Sequence, residues 1–293
     1  MTDDNDDSED DSDNVTTMLA ITGSGHADLQ FLANLSPAIS EPDSNWSIIG
    51  TMAHKPKIDW AKTYEVESWL TSMDSSGAGC LFAVSNDGML HSNETGSWVV
   101  TDLRCPGLNG VWAASDQEIF AVGQSAVRVH IAGSVVDVVV GTQSQRLSAV
   151  HGTSPTNVLA VGKNGLVLRF DGTTWTELEQ VTNYSLLAVL CISETEAYVA
   201  GAGGVLMRFD GATFQHLGAS SGMVTTGLAW YRDALHVATA ADGVQVLGPQ
   251  GLVPIKQLDL TRLRTIGDLL FGIGSDLVVQ YDGSVWWGGK LAF

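Results

Sequence analysis

The sequence predicts an all-β fold assembled from repeated four-stranded sheets. Three observations carry that expectation: a strand-favouring composition, a periodic strand core, and turn residues at fixed places in each period. Of 293 residues, 32 are Gly and only 7 are Pro, with 44% apolar and 16% charged residues. Val, Thr and aromatic residues suit a pleated, half-buried surface, and Gly supplies tight turns between short strands. At about 150 residues per domain the chain would make two, yet all-β assemblies often reach this length as one.

The period is read from the second strand of each unit. Phe82-Ala-Val84, Phe120-Ala-Val122, Leu159-Ala-Val161, Tyr198-Val-Ala200, His236-Val-Ala238 and Phe271-Gly-Ile273 share one frame. Positions 84, 122, 161, 200, 238 and 273 are 38, 39, 39, 38 and 35 residues apart. Self-similarity at this period marks a repeat architecture. In the clearest unit the four strand-sized pieces are "LSAVHG", "NVLAVG", "LVLRFDG" and "TWTELEQ".

Turn chemistry agrees with that division. "NDG", "KNG", "AGG" and "ADG" fall between second and third strands, where a hairpin needs positive φ. Asp171-Gly172, Asp210-Gly211 and Asp282-Gly283 fall between third and fourth strands, as structural turn residues. The N-terminal stretch fits the same frame, since Leu19 to Trp46 spans 27 residues against 28 from Leu147 to Trp175. Its pieces would be "LAITGS", "DLQFLANL", "AIS" and "NWSII", followed by an insertion at about 50–67. Seven units, each too small to cover both its faces, fit a seven-bladed β-propeller over residues 15–293. Six blades with an N-terminal extension is the alternative.

The repeat "AVG-x-x-G-x-[VL]-L-x-[FY]-D-G-x-x-W" resembles the WD-, YVTN- and Asp-box-type propellers over about residues 17–290. It is most similar to photosystem II assembly-factor and sialidase-like Asp-box repeats. The resemblance implies a fold rather than an activity. A full Asp-box carries Ser or Thr two residues before its Asp, where this chain has Arg169 and Arg208, and the Trp-Asp dipeptide of WD repeats is absent.

Charge is distributed unevenly. The net charge is −19, and residues 1–14, "MTDDNDDSEDDSDN", hold eight acids and read as a disordered acidic tail. Such a surface repels nucleic acid and anionic lipid and attracts basic proteins. The start lacks the basic and apolar segments of a secretory signal, and no stretch of about eighteen apolar residues occurs, so a cytoplasmic protein without membrane insertion is expected. Cys80, Cys105 and Cys191 are odd in number and scattered, which fits a reducing compartment better than a disulfide framework or a zinc site.

With the first strand innermost, connections alternate between the two faces of the ring. Turns joining first to second and third to fourth strands collect acids, among them Asp74, Asp116, Glu194 and Asp268, with Arg232 as their base. His151 follows an inner strand and is expected near the channel mouth beside Asp74, Asp116 or Asp268. The opposite face is expected to carry Lys55, Lys57, Arg104, Arg146 and Lys163. There the insertion would offer Trp60 and Tyr64 as partner anchors, unless both fold back onto the blade.

No residue set specifies catalysis. The seven histidines show no metal-binding spacing, and nothing selects two carboxylates for glycoside hydrolysis. Arg128, Arg169 and Arg208 recur on third strands, so they should lie outside the pore and pair with neighbouring acids. No cofactor or metal is implied. The function expected is a non-catalytic scaffold binding another protein, basic in character: an assembly factor, chaperone or toxin-neutralising binder. A propeller enzyme acting on glycans or related polymers and a lectin-like ligand-binding module are the alternatives.

Overall fold

The short apolar segments form strands, and every four consecutive strands make one antiparallel sheet in sequence order. The computed structural model describes residues 14–25, 28–37, 45–53, 58–94, 96–217, 223–239 and 242–291. The acidic segment 1–13, together with Lys55 and Lys57, lies outside the described residues.

Blade 1 contains β1 (Asn14–Thr22), β2 (Leu29–Pro37), β3 (Trp46–Ala53) and β4 (Asp59–Val66). Blade 2 contains β5 (Leu70–Ser75), β6 (Leu81–Ser85), β7 (Met89–Ser92) and β8 (Val99–Asp102). Blade 3 contains β9 (Leu108–Ser115), β10 (Glu118–Gly123), β11 (Arg128–Ala132) and β12 (Val135–Val139). Blade 4 contains β13 (Leu147–Ser154), β14 (Asn157–Gly162), β15 (Val167–Phe170) and β16 (Trp175–Glu177). Blade 5 contains β17 (Leu186–Ser193), β18 (Glu196–Gly201), β19 (Leu206–Phe209) and β20 (Phe214–His216). Blade 6 contains β21 (Thr225–Tyr231), β22 (Ala234–Thr239), β23 (Gly243–Gly248) and β24 (Gly251–Lys256). Blade 7 contains β25 (Arg262–Ile266), β26 (Leu269–Ile273), β27 (Leu277–Tyr281) and β28 (Trp286–Lys290).

The first strands of successive blades lie side by side, and β1 meets β25, so the seven sheets close into a ring. The ring has seven blades, not six. Among the described residues no strand is exchanged between its ends: blade 1 and blade 7 each keep four strands of their own. They meet by packing and by a hydrogen bond from Met18 N–H to the Ser275 carbonyl at 2.8 Å.

The core is divided in the way the repeat requires. The described residues form seven buried apolar clusters, and each joins two neighbouring blades. Phe82 and Val84 of blade 2 pack with Leu108, Val111 and Val129 of blade 3, for example. Phe120 and Val122 then pack from blade 3 onto Val150 and Leu168 of blade 4. Phe31, Phe82, Phe120 and Phe271 are fully buried at such junctions. A single sheet would leave this area in water, at about 25 cal/mol per Å2 of apolar surface. Stacking around an axis removes both faces at once.

The turns carry the expected chemistry. Asn164 sits at φ 56° between β14 and β15, and Gly165 follows at φ 71°. A Cβ at Gly165 would lie 2.0 Å from the Thr182 carbonyl oxygen, so both backbone sign and space require glycine there. Asp171 Oδ1 accepts the N–H groups of Thr173 and Thr174, each at 2.9 Å, and Asp210 and Asp282 repeat this cap in blades 5 and 7. These bonds to the ionised carboxyl hold Asp171 and Asp282 down to about 2.

Blade 1 departs from the sequence expectation. Within the segment 50–67, expected as an insertion, residues 50–53 end β3 and Asp59–Val66 form β4, the outermost strand of the blade. "NWSII" begins the third strand rather than the fourth. Trp60 and Tyr64 alternate along β4 and turn inward: Trp60 meets Phe31 edge-on at 5.7 Å. Tyr64 stacks on Trp98 at 4.3 Å, and its hydroxyl is 2.9 Å from His91 Nδ1. Trp60 therefore helps cover its own blade, and Tyr64 packs across onto blade 2. Lys62 leaves the same strand and pairs with Glu65.

Candidate functional site

The inner strands of blades 2 to 7 enclose a central cavity of about 510 Å3. Pairing with the second strand puts its wall residues in register. Asp74 lies opposite Phe82, Trp112 opposite Phe120, His151 opposite Leu159, Leu190 opposite Tyr198, Ala229 opposite His236 and Arg264 opposite Phe271. One level of the channel thus gathers an acid, an indole, an imidazole and a guanidinium from four blades.

Asp74 is almost entirely buried, and two groups hold it. Arg264 Nη1 lies 2.6 Å from Oδ1, and Oδ2 accepts the Ala113 N–H at 3.0 Å. The ion pair joins blade 7 to blade 2 across blade 1, and the amide bond extends the link to blade 3. His151 is half-buried and accepts the Cys191 N–H at Nδ1, 3.1 Å away. That bond leaves the proton of the neutral ring on Nε2. Burial holds the imidazole down to about 4, the Asp74 charge opposing the shift and the Arg264 charge adding to it. Trp112 lies 5.7 Å from the imidazole. The Cys191 thiol points to the His151 carbonyl at 3.2 Å, and burial pushes it up to about 12.

At neutral pH the cavity therefore presents an uncharged donor imidazole, a protonated thiol and a paired carboxylate. A nucleophile or general base works best with a pKa near the operating pH, and neither His151 nor Cys191 meets that condition. No group of three His, Cys, Asp or Glu side chains is placed to hold a metal among the described residues.

The depressed His151 pKa has a stability consequence. A histidine that binds its proton less readily when folded stabilises the fold fully above its unfolded pKa, about 6.5. That contribution is lost as pH falls through the window toward 4. Burial lowers His91 and His236 as well, so the acid-side slope is shared. His151→Asn keeps an acceptor for the Cys191 amide and removes one titrating group. Urea unfolding between pH 4 and 6.5 is expected to show a shallower slope for this variant than for the parent, and equal slopes would refute the assignment.

The other sequence-selected residues separate onto the two faces. Asp116 accepts the Ser76 hydroxyl on the acid-rich side. Glu194 and Asp268 are exposed in the turns after β17 and β25, where the Asp268 carbonyl also accepts the Tyr231 hydroxyl at 3.1 Å. Of the acids expected near His151, only Asp74 acts on it electrostatically. On the opposite side Arg146 Nη2 donates to Asn109 Oδ1 at 3.2 Å, and the Lys163 N–H donates to the Arg146 carbonyl at 2.8 Å. Arg104 stands between blades 2 and 3 at φ 53°, its N–H on Asp102 Oδ1.

The third-strand arginines do lie outside the channel, but among the described residues Arg208 alone of the three forms the expected ion pair. Arg208 Nε meets Glu196 at 2.8 Å. Arg169 instead donates to the Gly211 carbonyl and to Asn157 Oδ1, so it ties blade 4 to blade 5 through neutral acceptors. Arg128 feels Asp137 across the β11–β12 pair, while burial lowers its pKa.

Sequence reasoning missed Arg264 and Trp112. Aligning first strands by their second-strand partners exposes them, because Arg264 then falls at the position held by Asp74 and His151.

No protein-family model matches the chain, and no curated protein matches it in sequence. Solved structures do match in shape. A streptogramin B lyase superposes with a TM-score of 0.73 at 9% identity, covering 92% of this chain and 97% of its own. The WD40 propeller domain of Doa1 gives 0.71 at 9% identity, covering 90% and 92%. The RRP9 WD40 repeats give 0.68 at 12% identity, covering 94% and 93%. At these identities the likeness concerns fold alone, and the chain is a seven-bladed β-propeller similar both to WD40 propellers and to streptogramin B lyases.

Proposed function

We propose that the chain is a non-catalytic scaffold that binds a basic protein on its acid-rich face. The carrying observation is the composition of that face. Glu94, Asp171, Glu194, Asp210, Asp233, Asp268 and Asp282 stand exposed in its turns. Arg232, the base among those turns, donates to the Asp282 carbonyl. A rigid disc with one sign of charge on one side attracts and orients an oppositely charged partner. The WD40 likeness speaks for a protein-interaction scaffold. The lyase likeness leaves an enzyme open, one that would work from the central cavity, where no poised base or nucleophile supports it.

The test is capture of partners from a native lysate at low and moderate salt. It compares the parent with a variant carrying Glu94→Gln, Glu194→Gln, Asp233→Asn and Asp268→Asn. Screening lengths fall to about 8 Å at physiological ionic strength, so capture is expected to drop steeply with salt and to fail with the variant. Capture indifferent to both changes would overturn the reading.

A further inference from the structure

The charge inside the ring has the opposite sign to the charge outside. Five titratable side chains line the central cavity, Asp74, His151, Cys191, Arg262 and Arg264, and the Cys191 thiol is held protonated by burial. Asp74 is committed to Arg264 and to the Ala113 amide. His151 has Nδ1 occupied by the Cys191 amide and carries its proton on Nε2. Arg262 spends Nη1 on the carbonyls of Thr226 and Thr261, at 3.3 and 3.0 Å, and forms no ion pair among the described residues. Two guanidinium groups against one carboxylate leave the cavity with an excess positive charge, in a chain whose net charge is −19.

The neutral polar groups reinforce this bias. Asn109 gives its amide N–H to the Leu147 carbonyl while its oxygen accepts from Arg146 Nη2, and Thr265 gives its hydroxyl proton to the Trp230 carbonyl. Among the wall's side chains, the Ser72, Ser148 and Thr226 hydroxyls can donate or accept, and Arg262, Arg264 and His151 add groups that can only donate. Trp112, Leu190, Ile192 and Trp230 supply apolar wall beside those donors. A cavity of about 510 Å3 falls within the range of roughly 300–1,000 Å3 found for small-molecule sites.

We propose that the central channel binds a small organic carboxylate, its charged end on the Arg262 and Arg264 guanidinium groups and its apolar body against Trp112 and Trp230. A planar guanidinium matches a carboxylate in two parallel N–H···O bonds, a geometry ammonium groups cannot offer. The Arg264–Asp74 pair fixes Arg264 in place, so an incoming carboxylate meets a donor already ordered. Arg262 forms no ion pair among the described residues, and it is the discriminating residue. This site is separate from the acid-rich docking face and stands or falls independently of it.

Isothermal titration with benzoate tests the proposal on the intact chain. Benzamidine serves as the cation of the same shape, and inorganic phosphate as an anion without an apolar body. Saturable binding of benzoate is expected, with no binding of benzamidine and at least about tenfold weaker binding of phosphate. Arg262→Met, at an exposed side chain whose loss leaves no buried charge behind, is expected to weaken benzoate about tenfold or more at unchanged thermal stability. Arg262→Lys should restore part of it, and Lys163→Ala, outside the channel, should leave it unchanged. Absence of saturable benzoate binding would overturn the proposal. So would phosphate binding as tight as benzoate, which would mark a site for adventitious ions, or equal benzoate binding by Arg262→Met.

Discussion

Replacing Arg264 with Met is expected to cost about 3 kcal/mol or more of folding stability, because it strands the Asp74 carboxylate inside the ring. Removing one partner of a buried ion pair typically costs about 3–5 kcal/mol, most of it the penalty of the charge left behind. The two partners are unequal here: the Asp74 side chain is 6% exposed and that of Arg264 37%. The order of effects follows from that inequality. Asp74→Asn removes the charge that needs the partner, keeps an oxygen for the Ala113 amide, and leaves a cation that cavity water can reach. It should cost about 1–2 kcal/mol, the scale of a weakened charged hydrogen bond. The double variant should cost clearly less than the sum, since each change removes the reason for the other's penalty. Urea denaturation of the three variants measures all of this. If Arg264→Met proved no worse than Asp74→Asn, the ion pair would not be holding the ring in the way described.

This pair also shows where sequence reading ends. The blades were legible because each repeats the same local instructions, such as Leu159-Ala-Val161 followed by Asn164-Gly165 and Asp171-Gly172. Hairpin pairing and turn geometry depend on residues within one period, so a single blade carries its own signal. Asp74 and Arg264 meet because the ring closes, and no local pattern encodes that meeting. His151 could be assigned to the channel by its strand, but the acid acting on it could not be chosen from Asp74, Asp116 and Asp268.

Blade 1 was misread for a different reason. Its turns lack the Asn-Gly and Asp-Gly pairs that mark every other blade but blade 3, and matching by length favoured a compact unit ending near Trp46. The segment "DWAKTYEV" does hold an edge-strand pattern, with Trp60, Tyr64 and Val66 half-buried and Lys62 and Glu65 outward. Lysines beside aromatics looked like an exposed anchor. They are the usual dress of an outermost strand, where charge discourages pairing with another edge.

Truncating Phe271 to Ala should produce the second large effect, and of a distinct kind. Phe271 is fully buried between blades 7 and 1, packed with Met18, Phe31 and Ile273, and such truncations cost about 3–5 kcal/mol. Phe120→Ala removes an equally buried ring between blades 3 and 4 and should cost about as much. The two junctions differ in connectivity. Blades 3 and 4 are joined by the chain between β12 and β13, so after local separation their faces stay close. Blades 7 and 1 come from distant parts of the chain and are held by packing and the Met18–Ser275 bond, with the Arg264–Asp74 bridge from blade 7 to blade 2 spanning the seam. Reclosing an opened seam must therefore overcome the loop entropy of nearly the whole chain, whereas reclosing an internal junction spans a short link. Phe120→Ala should shift the urea midpoint at unchanged m-value, and Phe271→Ala should lower the apparent m-value as well, as a ring opened at the seam becomes populated. Faster amide exchange confined to blades 1 and 7 in Phe271→Ala would locate the opening. Unchanged m-values and uniform exchange in both variants would mean that the seam is as cooperative as every other junction.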